Sequence, residues 1–330
     1  MARGLSMLTM TFLGVGSAFA KKNFNSNCLF EFWEDDWQGA LPPRPPDDTL
    51  AVDFGVTAPH ALYALKDKPG FEYLNTSADT INYPAIRKVF ITHQHADHIG
   101  GLEEMALMNT FVFKDKKSGK PFKAELISTI NILVNLWDHS LKGGLNTIQN
   151  RYALLQDYFF IRPLIPLQPE KNRFHLGTYE FEIFPTDHVH IERKYDWPSY
   201  GLFITDPKTS RSAFFSGDTR FDYSAYNRMM EASEICFHDC QFFDQPDSVH
   251  ATLSECRSLS PAIKQKTVLY HYGDNFEDKG LQPALSEFKG LAKPQERYHL
   301  FTKTHATSAV PAESAGAGHR VVESGMSKKV

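Results

Sequence analysis

Cysteine is scarce in this 330-residue chain, confined to Cys28, Cys236, Cys240 and Cys256. Four scattered thiols do not make a disulfide framework, and no Cys-x-x-Cys pair exists because Cys236 and Cys240 stand four apart. A reducing compartment, the cytoplasm, is therefore expected. A run of 18 or more apolar residues is also missing, which excludes an expected membrane-spanning helix. There is no surplus of positive charge either. Lys plus Arg is 35 against 39 for Asp plus Glu, a formal net charge of −4 with His neutral. Proteins that live on the backbone of long nucleic acid are usually basic, so RNA is the less favoured ligand. What remains is an ordinary globular composition, 42% hydrophobic and 22% charged, with 26 phenylalanines to fill an aromatic core.

Short β-type runs with Gly or Pro punctuation predict strands over 8–13, 27–33, 49–54, 88–92, 179–184, 201–205, 211–216 and 267–270. Apolar periodicity predicts helices over about 99–109, 125–137, 147–158, 223–232, 253–262 and 282–292. Pro42-Pro43-Arg44-Pro45-Pro46 cannot sit inside a sheet and reads as a rigid hairpin connection. Loosely alternating strands and helices imply an α/β fold with two mixed sheets covered by helices. No internal repeat is visible. The tail 304–330 has too little apolar content to pack and is expected to be disordered, leaving 1–303 as the folded domain. The apolar run from Leu8 to Phe19 has two readings. With Arg3 before it and Ser17-Ala18-Phe19-Ala20 at its end, it imitates a signal peptide. Alternatively it is a first strand followed by the glycine turn Gly14-Val15-Gly16-Ser17. Five lysines over 114–123 read as a solvated hairpin tip rather than a phosphate-attracting rim.

The strongest signal is Thr92-His93-Gln94-His95-Ala96-Asp97-His98-Ile99-Gly100-Gly101. Four side chains able to bind a metal fall within six residues, directly after a hydrophobic strand. His93 and His95 are two apart and can share a direction, while Asp97 and His98 fall on the turn into a helix and can face a second centre. Imidazole with carboxylate suits zinc, or a borderline metal such as manganese or iron. Further candidates follow other apolar runs: Asp187-His188 after 179–184, Ser216-Gly217-Asp218 after 211–215, and His271 after 267–270. His190 competes with His188, which is favoured because it comes first after its strand.

His93-x-His95-x-Asp97-His98, together with Asp218 and the downstream histidines, resembles the metallo-β-lactamase superfamily. Leu13-Gly14-Val15-Gly16-Ser17-Ala18-Phe19, Val52-Asp53-Phe54-Gly55 and Val249-His250-Ala251-Thr252 are similar to its ribonuclease Z branch. The resemblance runs from about Leu8 to His271 and implies an αββα sandwich with a binuclear metal site at one edge. It favours the strand reading of the first apolar run. It also implies that His93, His95 and His188 hold one metal, that Asp97, His98 and His271 hold the other, and that Asp218 bridges them. Asp53 would orient a ligand imidazole.

Two Zn²⁺ ions, with Mn²⁺ as the substitute, would clamp a phosphoryl group and activate water near neutral pH. His250 is then the candidate general acid and Asp97 the group that orients the water. His250 also precedes a capping box, Thr252 with Glu255. His238 is read as structural support. The tRNA-processing members carry a long arm between the third metal histidine and the bridging aspartate. Here His188 and Asp218 are 30 residues apart (218 − 188), too few for such an arm. The extra length forms a helical insertion at about 111–174, whose Trp137, Tyr152, Tyr158, Phe159 and Phe160 suggest a core, a dimer contact or a lid. This armless spacing is similar to the cyclic-nucleotide phosphodiesterases among the anti-Pycsar proteins. The resemblance implies hydrolysis of 3′,5′-cyclic nucleotides, a small nucleotide substrate, and a homodimer. The alternatives are a tRNA 3′-processing endonuclease, a thioester or lactone hydrolase, and a non-catalytic metal-binding module.

Overall fold

The computed structural model describes residues 6–301, apart from 36–39, 115–116, 191–196 and 246. The expected tail at 304–330, Arg3 and Lys116 lie outside the described residues. In chain order the strands are β1 (Met7–Gly14), β2 (Asn27–Trp33), β3 (Asp48–Val52), β4 (Lys88–Phe90), β5 (Glu125–Thr129), β6 (Thr147–Ile148), β7 (Arg151–Tyr152) and β8 (Phe160–Leu164). They continue with β9 (Arg173–Leu176), β10 (Tyr179–Val189), β11 (Trp197–Asp206), β12 (Arg211–Phe215), β13 (Ile235–Asp239), β14 (Thr267–Tyr270), β15 (Gly290–Leu291) and β16 (Arg297–Leu300).

Two seven-stranded sheets result, in the orders β16-β1-β2-β3-β4-β5-β8 and β15-β14-β13-β12-β11-β10-β9. Each is antiparallel over one half and parallel over the other. The sheets thus share one plan, although the sequence shows no repeat. They meet face to face through aromatic rings: Phe30 on Phe181 and Phe90 on Phe174, each at 5.3 Å between centroids, and Phe12 on Phe237 at 5.6 Å. Each buried ring adds about 1.5–3 kcal/mol of hydrophobic stabilisation. A second, smaller core lies where Tyr226 and Met230 of the helix Tyr223–Ala232 cover Phe214. Helices outside paired sheets give the αββα sandwich.

The first apolar run is buried along β1 and pairs on both sides, with β2 and β16. This is the strand reading of that run. The proline-rich segment joins β2 to β3, which pair antiparallel as a hairpin connection requires. Strands at 27–33 and 267–270 and the helix at 223–232 match their expected bounds.

Other expectations need correction. Residues 125–129 form β5, buried between β4 and β8, and the helix starts only at Ile130. Residues 147–152 form the hairpin β6–β7, turned at Gln149 with φ 50°, and only Leu155–Tyr158 is helical. The expected helical insertion at about 111–174 therefore supplies two strands, β5 and β8, to the first sheet. The helix expected over 99–109 is divided at Gly100-Gly101 into Ala96–Ile99 and Leu102–Leu107. The helix expected over 253–262 is divided before Pro261, whose ring restricts the preceding residue and offers no N–H. Of 282–292 only Gln282–Leu285 is helical, and Gly290–Leu291 is the edge strand β15. Among the described residues no helix is long and apolar enough to cross a membrane.

Candidate metal centre

The parallel strands deliver their C-terminal ends to one edge of the sandwich, where loops leave the sheet and polar side chains can converge. Past β4 comes the stretch from Thr92 to His98. Past β12 comes Asp218, past β14 His271, and past β3 Asp53, while His188 stands near the end of β10. Two glycines make the approach possible. A Cβ on Gly55 would lie 1.6 Å from the carbonyl oxygen of Asp97, so only glycine lets the turn after β3 touch the helix that carries Asp97 and His98. Gly217 has φ +63°, and a Cβ there would lie 2.5 Å from the Tyr200 carbonyl oxygen. That turn aims Asp218 inward. Asp53 and His271 both hold φ 63°, a left-handed conformation that costs energy in non-glycine residues and recurs at functional sites.

All seven side chains expected as ligands come together. His93, His95 and His188 form one group of donor atoms, and Asp97, His98, Asp218 and His271 form another, with all atoms of each group within 4.8 Å of one another. His95 Nδ1 lies 3.0 Å from His93 Nε2 and 3.1 Å from His188 Nε2. In the second group the Asp218 carboxylate is 3.1 Å from His98 Nε2 and 3.2 Å from His271 Nε2, and it is 3.8 Å from His93 Nε2. Asp218 therefore stands between the groups. Asp97 is 3.3 Å from His98 Nε2.

The outward nitrogens of the rings are already held. His98 Nδ1 donates to Asp53 at 2.7 Å, His188 Nδ1 donates to the Val249 carbonyl at 2.7 Å, and His271 Nδ1 pairs with Ser26 Oγ. These bonds occupy Nδ1 and leave Nε2 turned inward, as in metal-ligating imidazoles. Asp53 itself is locked by the N–H and hydroxyl of Thr92, each at 2.8 Å.

This donor set fits metal cations. Three imidazole nitrogens, with His95 Nδ1 about 3 Å from the other two, cannot all be satisfied by mutual hydrogen bonds, whereas their spacing is that of neighbouring ligands on one small cation. Asp218 Oδ1 is buried and has no hydrogen-bond partner among the described residues.

Without cations the two groups hold their protons differently. Burial pushes His93 well down and His188 to about 4, and it lowers His95. Burial also acts to lower His98, but Asp218, Asp97 and Asp53 overcome it and raise that imidazole well above its ordinary value. Burial would raise Asp218 and Asp97. His271 and His98 instead hold Asp218 well below the carboxylate range, and His98 brings Asp97 to about 2.

His250 stands beside the cluster, its ring 4.9 Å from His188 and 4.7 Å from His271. Its Nδ1 donates to Asp239 at 2.8 Å. Burial opposes its charge, yet Asp239 raises it to about 9. The capping box behind it is present, with Thr252 and Glu255 bonded reciprocally. His238 points away, to Tyr226 at 2.9 Å, as structural support. His190 lines a neighbouring cavity instead of the cluster. Asp239 was not singled out from the sequence, although it ends an apolar strand as the other candidates do. Trp197 was not singled out either. Its indole stacks on His95, with centroids 5.7 Å apart and planes 23° from parallel.

Comparison with known proteins places the chain among relatives. The chain is 33% identical over 295 residues to the anti-Pycsar protein Apyc1 of Paenibacillus harenae, covering 87% of this chain and 98% of that one. It is 35% identical over 270 residues to the anti-Pycsar protein Apyc1 of Bacillus phage BSP38, covering 81% and 89%. Solved structures share the metallo-β-lactamase fold at low identity. Unliganded yeast PDE1 matches with TM-score 0.59 at 14% identity, over 86% of this chain and 93% of that one. The short form of human tRNase Z matches with TM-score 0.55 at 16%, over 88% and 98%. Zn²⁺-bound PqqB from Methylobacterium extorquens matches with TM-score 0.54 at 10%, over 88% and 99%. The family model described as anti-Pycsar protein Apyc1 matches residues 8–298, and the chain belongs to that family.

Proposed function

We propose that this protein is a metal-dependent phosphodiesterase that hydrolyses 3′,5′-cyclic nucleotides to nucleoside monophosphates. The observation that carries the reading is the convergence of seven donor side chains in two groups that meet at Asp218, with the buried Asp239 and half-buried His250 paired at their side. Membership of the anti-Pycsar family supports a cyclic nucleotide as substrate. His93, His95 and His188 would hold one cation, Asp97, His98 and His271 a second, and Asp218 would serve both. Zn²⁺ is the proposed metal, with Mn²⁺ as the substitute. When bound, such cations draw off charge from a phosphoryl group and acidify water.

The chain's own residues account for the protons. Hydrolysis replaces one P–O ester bond by a bond to the oxygen of water, and the departing ribose oxygen takes a proton. His250, with Nδ1 fixed on Asp239, keeps Nε2–H to supply it. Asp97 stays a carboxylate at neutral pH and can accept a hydrogen bond from the attacking water. Asp53 keeps His98 in the tautomer that offers Nε2.

The interval between His188 and Asp218 is occupied by β11 and β12, which supports a small substrate over a tRNA gripped by an arm in that interval. Exposed Tyr152, Leu154, Phe160 and Leu167 give the segment before β9 an apolar surface that supports the proposed homodimer. The four buried free cysteines support residence in the cytoplasm. Residues 1–303 are proposed as the catalytic domain.

The test is a panel of cyclic CMP, UMP, AMP and GMP with zinc- or manganese-loaded protein, run beside a precursor tRNA. Conversion of at least one cyclic nucleotide to its monophosphate is expected, with the tRNA left whole. All four cyclic nucleotides remaining intact would overturn the proposal.

A further inference from the structure

Two cavities lie beside the segments that carry His188 and His95. The larger, about 1090 Å³, is lined by Asp187 and Val189 on either side of His188 in sequence. The smaller, about 470 Å³, is lined by Gln94 and Ala96 on either side of His95. Among the described residues only Trp197 and Asn135 line both. They form the partition; no donor imidazole is in either lining, and Trp197, whose indole stacks on His95, is what joins both cavities to the cluster.

The partition has the chemistry of a base reader. Trp197 opens β11 and is held by its stack on His95, so the indole plane is fixed relative to the donor cluster. Its buried Nε1–H finds no acceptor among the described residues, and a donor of that kind ordinarily has a partner. Asn135 and Asn131 lie four apart on the helix Ile130–Leu136, and both line the larger cavity. Residues at that spacing share a helix face, so two amides point to one side. An amide both donates and accepts, and can meet the edge groups of more than one base.

We propose that Trp197 and Asn135 form a subsite for the planar heteroaromatic base of a nucleotide, the phosphodiester of which reaches the imidazole cluster. The inference rests on the function proposed above and names the part of the substrate that this wall recognises. An aromatic platform is tolerant of base identity, because every base has a π-face. Trp197 is therefore a positioning residue: it contributes affinity and placement, and the chemistry stays with the donor cluster and His250. The aromatic side chains first considered for a lid have other places. Trp137 packs against the main core, Tyr158 and Phe159 are buried, and Tyr152 and Phe160 are exposed away from both cavity linings.

The experiment compares metal-loaded wild type with Trp197→Ala, Trp197→Phe and Asn135→Ala. Equilibrium dialysis measures binding of CMP, UMP, AMP and GMP, with ribose 5-phosphate as the ligand that lacks a base. Trp197→Ala should weaken nucleotide binding by about 10- to 100-fold. It should leave ribose 5-phosphate binding and metal content unchanged. Trp197→Phe should recover most of the loss, and Asn135→Ala should show a smaller one. On any cyclic nucleotide that is turned over, Trp197→Ala should raise KM with kcat nearly unchanged. Equal nucleotide binding by wild type and Trp197→Ala would overturn the inference. So would an equal loss of ribose 5-phosphate, or a wild type that binds nucleotides no better than ribose 5-phosphate. The proposed function fails by a different result: nucleotides that bind in a Trp197-dependent way while every cyclic nucleotide stays intact.

Discussion

The two groups of donors share Asp218 and lie side by side, yet they differ in charge and access. The group of His93, His95 and His188 is made of imidazoles alone, and His95 is half-buried at its outer side. The group of Asp97, His98, Asp218 and His271 is buried throughout and contains two carboxylates. In the first group burial outweighs the pull of Asp218 and strips the imidazoles of their protons, so that group presents bare nitrogens at neutral pH. Burial beside three carboxylates does the opposite to His98, which keeps its proton. Similar side chains thus make one pocket ready to accept a cation and another that must first give up a proton. Asp53, Asp97 and Asp218 make the difference at His98, while neighbouring imidazoles push His93 further down and burial keeps His271 low.

The largest effect should come from the residue the two groups share. Asp218→Ala should lower the metal content from about two per chain and cut turnover by at least about 1000-fold, since a cation clamp is worth several kcal/mol of transition-state charge. Elemental analysis beside the rate measurement checks it. A normal rate in that variant would dissolve the comparison. His250→Ala should lower kcat by about 100- to 10,000-fold and leave metal content as it was. Loss of metal would instead place His250 among the donors. Asp53→Asn should weaken cation binding by about 10- to 100-fold in the carboxylate-bearing group and leave the three-imidazole group close to wild type. Competition with a chelator of known affinity resolves the two steps.

A smaller effect concerns protons. His98 has a raised value in the metal-free protein, so it carries a proton at neutral pH that a cation must displace. His188, lowered to about 4, carries none there. Filling the carboxylate-bearing group should release about one proton per cation, and filling the other none. Calorimetry in buffers of different ionisation heat measures this. Equal release from both steps would contradict the assignment.

The candidate donors were legible because each directly follows or ends a short apolar run, and strand ends are where a parallel sheet exposes side chains. Asp239 was hidden by the pleat. His238 and Asp239 are neighbours on β13, so they face opposite ways. His238 goes under the helix Tyr223–Ala232, and Asp239 goes to His250. Reading His238 as structural drew attention from the adjacent carboxylate. β5 was hidden for another reason. The apolar run from Leu126 continues through Ile130 and Leu133 into the helix, and a continuous apolar run has no period to mark where strand becomes helix. Trp197 had no signal of its own, because its meaning comes from the stack on His95, about a hundred positions earlier in the chain.

The most direct test of the account is the anomalous diffraction of crystals grown with zinc. Two peaks about 3.5–4 Å apart, one among His93, His95 and His188 and one among Asp97, His98 and His271, with Asp218 between them, are expected. A single peak, or peaks away from Asp218, would contradict it.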